Sequence, residues 1–384
     1  MKKIKNAFYL IPYPRFFSQH NNVGGHVAHA YGVTSTLANQ GYTVRIIMEE
    51  PIGLMEGDCR IPEIIKLEKN SLIHRIFWGK KLVDKVGELA AMDNPEFCYV
   101  RYSVGFQNWL PLLKKKLGNI PLILEVNSFG SQRHKWMSIF EGLFLNAADL
   151  LVLISDPVYK SIDTLWGDKL TNKSVIVNNG VDPDRFSDWE NNCRRDFGSK
   201  VKLGYTGLIE SWYGLDDVAL GFIKANKKSD REIEFHIYGD GPYKAEMEKK
   251  YSEYKSIIFH GAQPFQEMPG IIGSLDILIN ADSEEKSYTS PIKIYEYMAS
   301  GRPILSARSS QSEMQLDHGR LGWFYDMGDP ESFCEAVISL INEGDQITSR
   351  TIPARKFVEK NHTWEHRVNH ILNHIENLKS IHQG

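Results

Sequence analysis

The chain has 384 residues, 42% hydrophobic and 24% charged, a balance that suits two globular domains and leaves no room for extensive disorder. Its 45 basic and 48 acidic side chains give a net charge of −3, which argues against the strongly basic footprint of a nucleic-acid binder and points to a small charged partner. Four scattered cysteines, at 59, 98, 193 and 334, suggest neither a disulfide framework nor a zinc site and fit a reducing cytoplasm.

The first residues, MKKIKNAFYLIPYPRF, begin with positive charge, but the apolar run is short and broken by Pro12 and Pro14. It reads as a first strand rather than a secretory signal. After Gly24 and Gly25, the residues Val27, Ala30, Tyr31, Thr34, Leu37 and Ala38 recur at spacings of three and four and predict one helix face, with Gly41 ending the helix. Short apolar runs at 42–48, 97–102, 121–126 and 150–154 predict further strands of a sheet covered on both faces. Between them, residues 71–85 (SLIHRIFWGKKLVDK) mix aromatic and basic side chains. This segment suits either a solvated helix with buried aromatics or peripheral contact with an anionic membrane.

A second series of strands is predicted at 201–206, 233–238, 257–260 and 277–281, closing near 303–305. The polar stretch NNGVDPDRFSDWENNCRRDFGSK between the two series predicts a linker, giving an amino-terminal domain 1–182 and a carboxyl-terminal domain 183–363. Asp329 before Pro330 predicts a capped helix start, and 364–378 predicts a final helix. No apolar stretch approaches the ~20 residues a membrane-spanning helix requires. The fold class expected is α/β, with two doubly wound parallel sheets whose strand carboxyl ends face a shared cleft.

The most informative segment is SPIKIYEYMASGRPIL, 290–305. A helix starting near Pro291 offers unpaired backbone amides to an anion. Lys293 adds a charge, and Glu296 follows on the same face. A diphosphate near the amides and Lys293, with ribose hydroxyls on Glu296, is a coherent pair of roles. Glycine turns at Gly207, at Gly239 before Asp240, and at Gly261 before Ala262 end three predicted strands where backbone can approach a nucleotide closely. Gly24, Gly25 and Gly32 lack the G-x-G-x-x-G spacing, so a nicotinamide or flavin cofactor is disfavoured. His26 and His29, near the start of the first helix, are candidate acceptor contacts. Glu125 and Asn127 end a predicted strand, where an open sheet presents functional side chains, and Glu125 either caps the next helix, orients a bound substrate or stabilises positive charge on it.

Taken together, NVGGHVAHAYGVTSTLANQGYTV, PLILEVNSF, VIVNNGVDPDRF, GYTGLIESWYGLD, IYGDGPYKAEME, FHGAQPFQEM and SPIKIYEYMASGRP resemble, in order and spacing, the retaining glycosyltransferases of family four. The resemblance implies the GT-B fold: two Rossmann-like domains, a nucleotide-sugar donor held by the second, an acceptor held by the first, and a last helix, 364–384, crossing back onto the first. It implies transfer of a sugar from a nucleotide diphosphate to a glycan or lipid-linked acceptor of bacterial surface-polysaccharide type, such as lipopolysaccharide or capsule. No cofactor is expected beyond the donor, with a UDP-sugar ahead of a GDP-sugar on general frequency. A nucleotide-sugar epimerase or hydrolase, or a catalytically silent binder, are the alternatives on the same fold.

Two departures from the family pattern stand out. The first of two glutamates, which has seven residues between it and Glu296, is replaced by Tyr288, so its donor contact passes to Tyr288, to amides of Tyr288, Thr289, Ser290 and Ile292, or to Glu284 or Glu285. In the loop Gly207 to Gly214 an arginine and a lysine usual in the family are replaced by Leu208 and Tyr213, which makes Lys293 more important. No acidic pair ends a predicted strand in the cleft, and Asp216 and Asp217 fall on a predicted helix, so transfer without a metal is expected.

Overall fold

The computed structural model describes residues 5–13, 24–49, 57, 59–67, 72–128, 130–132, 137–193, 197–282 and 292–383. Seven strands, β1 (Lys5–Leu10), β2 (Tyr42–Met48), β3 (Arg60–Ile64), β4 (Cys98–Arg101), β5 (Leu122–Val126), β6 (Leu150–Leu153) and β7 (Ser174–Ile176), form one sheet in the order β3-β2-β1-β4-β5-β6-β7. Six more, β8 (Lys200–Thr206), β9 (Glu232–Tyr238), β10 (Ile257–Gly261), β11 (Ile277–Asn280), β12 (Ile304–Ala307) and β13 (Trp323–Tyr325), form a second sheet in the order β10-β9-β8-β11-β12-β13. The pairings between these strands are all parallel. Strand order reverses beside β1, between it and β4, and beside β8, between it and β11. Open parallel sheets take their ligands at the carboxyl ends of strands that flank such a reversal.

Alternation along the strands divides the first sheet into two apolar faces. Phe8, Leu10, Val100, Leu122 and Leu124 pack against Trp78, Leu82 and Val86 of the helix Leu72–Asp93. Ala7, Tyr9, Val44, Ile46, Tyr99 and Ile123 pack on the other side against Val27, Ala30, Val33 and Leu37 of the helix Gly25–Asn39. The same face is completed by Trp364, Val368, Ile371 and Ile375 of the crossover helix Trp364–Gln383.

Gly32 makes that last contact possible. A Cβ there would lie 2.3 Å from the Trp364 indole, a rigid ring with nowhere to move. Trp364→Ala is expected to cost about 3–5 kcal/mol through lost burial and the cavity left behind. Urea unfolding followed by circular dichroism checks this, and a midpoint within error of the wild type would refute the packing role.

The chain passes between the sheets twice, and the two crossings are bonded together. Val181 N donates to the His362 carbonyl at 2.9 Å, Trp364 N donates to the Val181 carbonyl at 3.1 Å, and Val181 and Thr363 form a parallel bridge. Asp329 accepts from the amides of Glu331 and Ser332 at 2.9 and 3.1 Å, so the helix Pro330–Ile341 starts on a side-chain cap with proline in its first turn. All four cysteines are free thiols. Among the described residues no helix is long and apolar enough to cross a membrane.

Three strands have no counterpart among the sequence expectations: β3, β7 and β13. The last two have three residues each, too few to show a period. β3 contains Pro62 and Glu63, residues tolerated at a sheet edge, which is where β3 lies. The mixed aromatic and basic segment falls within 72–93. There Trp78 is buried and donates its indole N–H to the Ile65 carbonyl at 2.5 Å, whereas Phe77 is exposed.

Candidate active site

The carboxyl ends of the two sheets meet at a cavity of about 360 Å³. From the first sheet it is lined by Gly24, Gly25 and His26, where the helix Gly25–Asn39 begins. The second sheet supplies Thr206 and Gly207 at the end of β8, Tyr238 and Gly239 at the end of β9, Ala262 and Gln263 after β10, and Ile292, Lys293 and Glu296 from the helix Ile292–Ser300 that follows β11. Both strand-order reversals therefore open onto one site.

The glycine turns of the second sheet are bonded to one another. Gly207 N donates to the Tyr238 carbonyl and Gly239 N to the Gly261 carbonyl, each at 2.9 Å. Gly261 thus backs the lining one layer behind Gly239. Thr206 anchors the helix Ile292–Ser300, because its amide and hydroxyl lie 3.0 and 2.9 Å from the Tyr297 hydroxyl.

This anchorage fixes Lys293. Its ammonium sits over the rings of Tyr205 and Tyr213, 4.5 and 5.4 Å from their centres, beside Gly207, whose hypothetical Cβ would be 3.8 Å from it. Two aromatic faces thus hold the cation at the turn where a diphosphate would approach. Burial lowers the Lys293 pKa to about 8, against the opposing pull of Asp282. Glu296 is pushed upward by burial, an effect the Arg185 guanidinium opposes. Arg185 lies over the Phe265 ring at 3.7 Å and donates to the Phe265 carbonyl at 2.5 Å. Phe265 in turn contacts Tyr31 of the first domain, with ring centres 5.6 Å apart.

Of the residues expected from sequence, Gly24, Gly25, His26, Gly207, Gly239, Ala262, Ile292, Lys293 and Glu296 line this single cavity. Tyr288, Thr289 and Ser290 lie outside the described residues, as do Pro291, Glu284 and Glu285. Glu125 and Asn127 do not line it. Glu125 has no exposed surface, and His29 is only 2% exposed, so in this structure neither side chain reaches a bound substrate directly. Sequence reasoning missed Tyr205, Tyr238, Phe265 and Arg185 as parts of the site. Tyr213 was visible only as a departure, and its spatial relation to Lys293 had no local signal. Among the described residues no group of three or more His, Cys, Asp or Glu side chains is placed to hold a metal ion.

Two buried imidazoles make stability pH-dependent. Burial pushes His29 down to about 4, more than Glu125 can offset, and likewise pushes His362, stacked on Tyr295, down to about 4. Their ordinary value is 6.5. Between 6.5 and about 4 the unfolded chain therefore binds protons that the native chain does not, and stability falls as pH drops through that window. The loss amounts to about 3 kcal/mol per group at most. Urea unfolding at neutral pH and at about pH 4.5 measures it. His362→Phe should flatten the dependence, and an equally steep curve in that variant would rule out its contribution.

Residues 23–185 match the family model described as Glycosyltransferase Family 4, and residues 200–343 match that described as Glycosyl transferases group 1. An uncharacterised glycosyltransferase of Methanocaldococcus jannaschii is 21% identical over 241 residues, 62% of this chain and 60% of that protein. The sulfoquinovosyl transferase of Arabidopsis thaliana is 24% identical over 263 residues, 65% of this chain and 49% of that protein. The aligned region thus spans about half to three-fifths of these relatives' lengths. Among solved structures, HepE of Anabaena in complex with UDP and glucose superposes with a TM-score of 0.73 at 13% identity, covering 97% of this chain and 100% of that one. A domain matched by a glycosyltransferase family model thus stands on each side of the cleft, and the two together have the GT-B fold.

Proposed function

We propose that the protein transfers a sugar from a UDP-sugar to a glycan or lipid-linked acceptor, with retention of anomeric configuration and without a metal, in assembly of a bacterial-type surface polysaccharide at the cytoplasmic side of the membrane. The observation that carries this reading is the Lys293 ammonium held over the Tyr205 and Tyr213 rings beside Gly207, in a cavity lined by both sheets. Solved complexes of HepE with UDP and glucose and with UDP-glucose, on the same fold, support a UDP-sugar donor.

In this reading the diphosphate lies against the Gly207 turn and Lys293. Glu296 takes the ribose hydroxyls, the Gly239 and Ala262 turns frame the base, and Gly24, Gly25 and His26 face the transferred sugar and the acceptor. The carboxyl domain holds the donor and the amino domain the acceptor. As the sugar–phosphate bond breaks, Lys293 and the amides of the helix start stabilise the developing charge on the departing phosphate. The acceptor hydroxyl attacks on the same face and gives its proton to that phosphate.

A thermal-shift panel of UDP, GDP and their sugars tests the donor, because a ligand that binds only the native state raises the melting temperature. UDP-sugars should give the largest shift, with EDTA making no difference. No shift with any nucleotide would favour a catalytically silent protein, and sugar release or isomerisation without acceptor would favour a hydrolase or epimerase. Anomeric coupling constants of the product, read by NMR, decide retention against inversion.

A further inference from the structure

Glu125 is the penultimate residue of β5, on the face shared by Tyr9, Tyr99 and the helix Gly25–Asn39. Its carboxylate receives the Tyr99 hydroxyl at 2.5 Å and lies 2.9 Å from His29 Nε2, 2.8 Å from an Arg367 guanidinium nitrogen and 3.6 Å from Arg101 Nε. Burial alone would raise its pKa, but the hydrogen bond from His29 and the Arg367 and Arg101 guanidiniums overcome that and hold it well below the usual carboxylate range.

Each guanidinium has a second task. Arg101 donates to the His26 carbonyl at 3.2 Å, in the first turn of the helix that faces the cavity. Arg367, on the crossover helix, donates to the Asn178 carbonyl at 2.8 Å and also to the Val177 carbonyl, both in the first chain crossing. The same helix places Trp364 edge-on against His29, with ring centres 5.3 Å apart.

We propose that Glu125 is a positioning residue: through Arg101 and Arg367 it ties the glycine turn facing the donor sugar to the paired crossings between the two domains, so that the turn is held in place only while the crossover helix is seated. Its effect on turnover rests on the glycosyltransferase reading above, but the mechanical link does not. A fork-shaped guanidinium can serve a carboxylate and two carbonyls at once, whereas an ammonium on a flexible stem cannot hold all three in one geometry. A buried carboxylate removed from two guanidiniums would leave charge uncompensated, so Glu125→Gln risks misfolding and Arg367→Lys is the primary variant.

Hydrogen exchange on the ligand-free Arg367→Lys protein should show about tenfold faster exchange at Val181 and Trp364, which bridge the crossings, and also at Val27 and Ala28, which bond to the Gly24 carbonyl. UDP affinity, set in the other domain, should stay within about threefold, while kcat falls about 100-fold from misplacement of the turn. Faster exchange confined to Val181 and Trp364, with Val27 and Ala28 unchanged, would overturn the proposal. Absence of UDP binding in the wild type would instead strike the glycosyltransferase reading and leave the exchange result to stand by itself.

Discussion

Replacing Lys293 with methionine is expected to weaken UDP binding about 100-fold while leaving the fold intact, because a charge-assisted contact to phosphate is lost and an apolar side chain of similar length takes its place. The family pattern would put further cations in the Gly207 loop, but Leu208 and Tyr213 stand there, so among the described residues lining the cavity Lys293 is the one Lys or Arg that can attract the diphosphate. That ammonium has its pKa lowered to about 8 by burial. A diphosphate prefers the protonated form, so the association constant should be flat below about pH 7 and fall about tenfold per unit above 8 until the pKa of the complex is reached. Lys293→Arg should abolish this decline, since a guanidinium stays charged throughout. Calorimetric titration at neutral pH and at about pH 9.5 measures all three proteins. Equal affinity at both pH values in the wild type, together with an undiminished methionine variant, would remove Lys293 from the donor site.

Gly239→Ala should be the most damaging conservative change in the second sheet. The residue has φ +150°, and a Cβ there would fall 1.7 Å from the Gly207 carbonyl oxygen and 2.9 Å from its carbon, both backbone atoms of the adjoining turn. The two turns would have to part, breaking the bond from Gly207 N to the Tyr238 carbonyl. We expect a loss of about 3 kcal/mol from forced overpacking and no detectable UDP binding. Gly118→Ala is the control: its φ is +58° and its ψ −118°, but no atom lies within 4 Å of the added carbon, so only backbone strain, about 1–3 kcal/mol, remains and UDP binding is retained. Denaturant unfolding and UDP binding of both variants separate steric from conformational cost, and similar losses of stability and of binding in the two would show that the turns do not press on each other.

Where a feature depended on local spacing, the sequence announced it. β2 spans the run predicted at 42–48, and Gly41, with φ +87°, follows the end of the first helix. Strand ends punctuated by glycine mark the turns at 207, 239 and 261 because backbone conformation is written in single residues. Features made by distant partners left no such mark. Arg367 and Glu125 are 242 residues apart, and nothing in the composition of a helix near the end of the sequence selects one arginine for a strand in the first sheet. Likewise Tyr205 and Tyr213 read as a strand residue and a missing lysine until folding brings their rings beneath Lys293. Glu125 illustrates the reverse case. A carboxylate at a strand end reads as chemistry, but its side chain turns into the sheet face rather than toward the cavity.

Because the chain returns after the second sheet to lay the helix Trp364–Gln383 on the first, the carboxyl-terminal sheet is an insertion within the amino-terminal domain. Ribosomes deliver the inserted sheet before the helix bearing Trp364, Val368, Ile371 and Ile375, which closes the apolar face laid down by β1, β2 and β4. Contrary to the usual vectorial order, the half translated first therefore matures last. Until then it waits on the nascent polypeptide with greasy surface uncovered, and that interval is when chaperones would engage it.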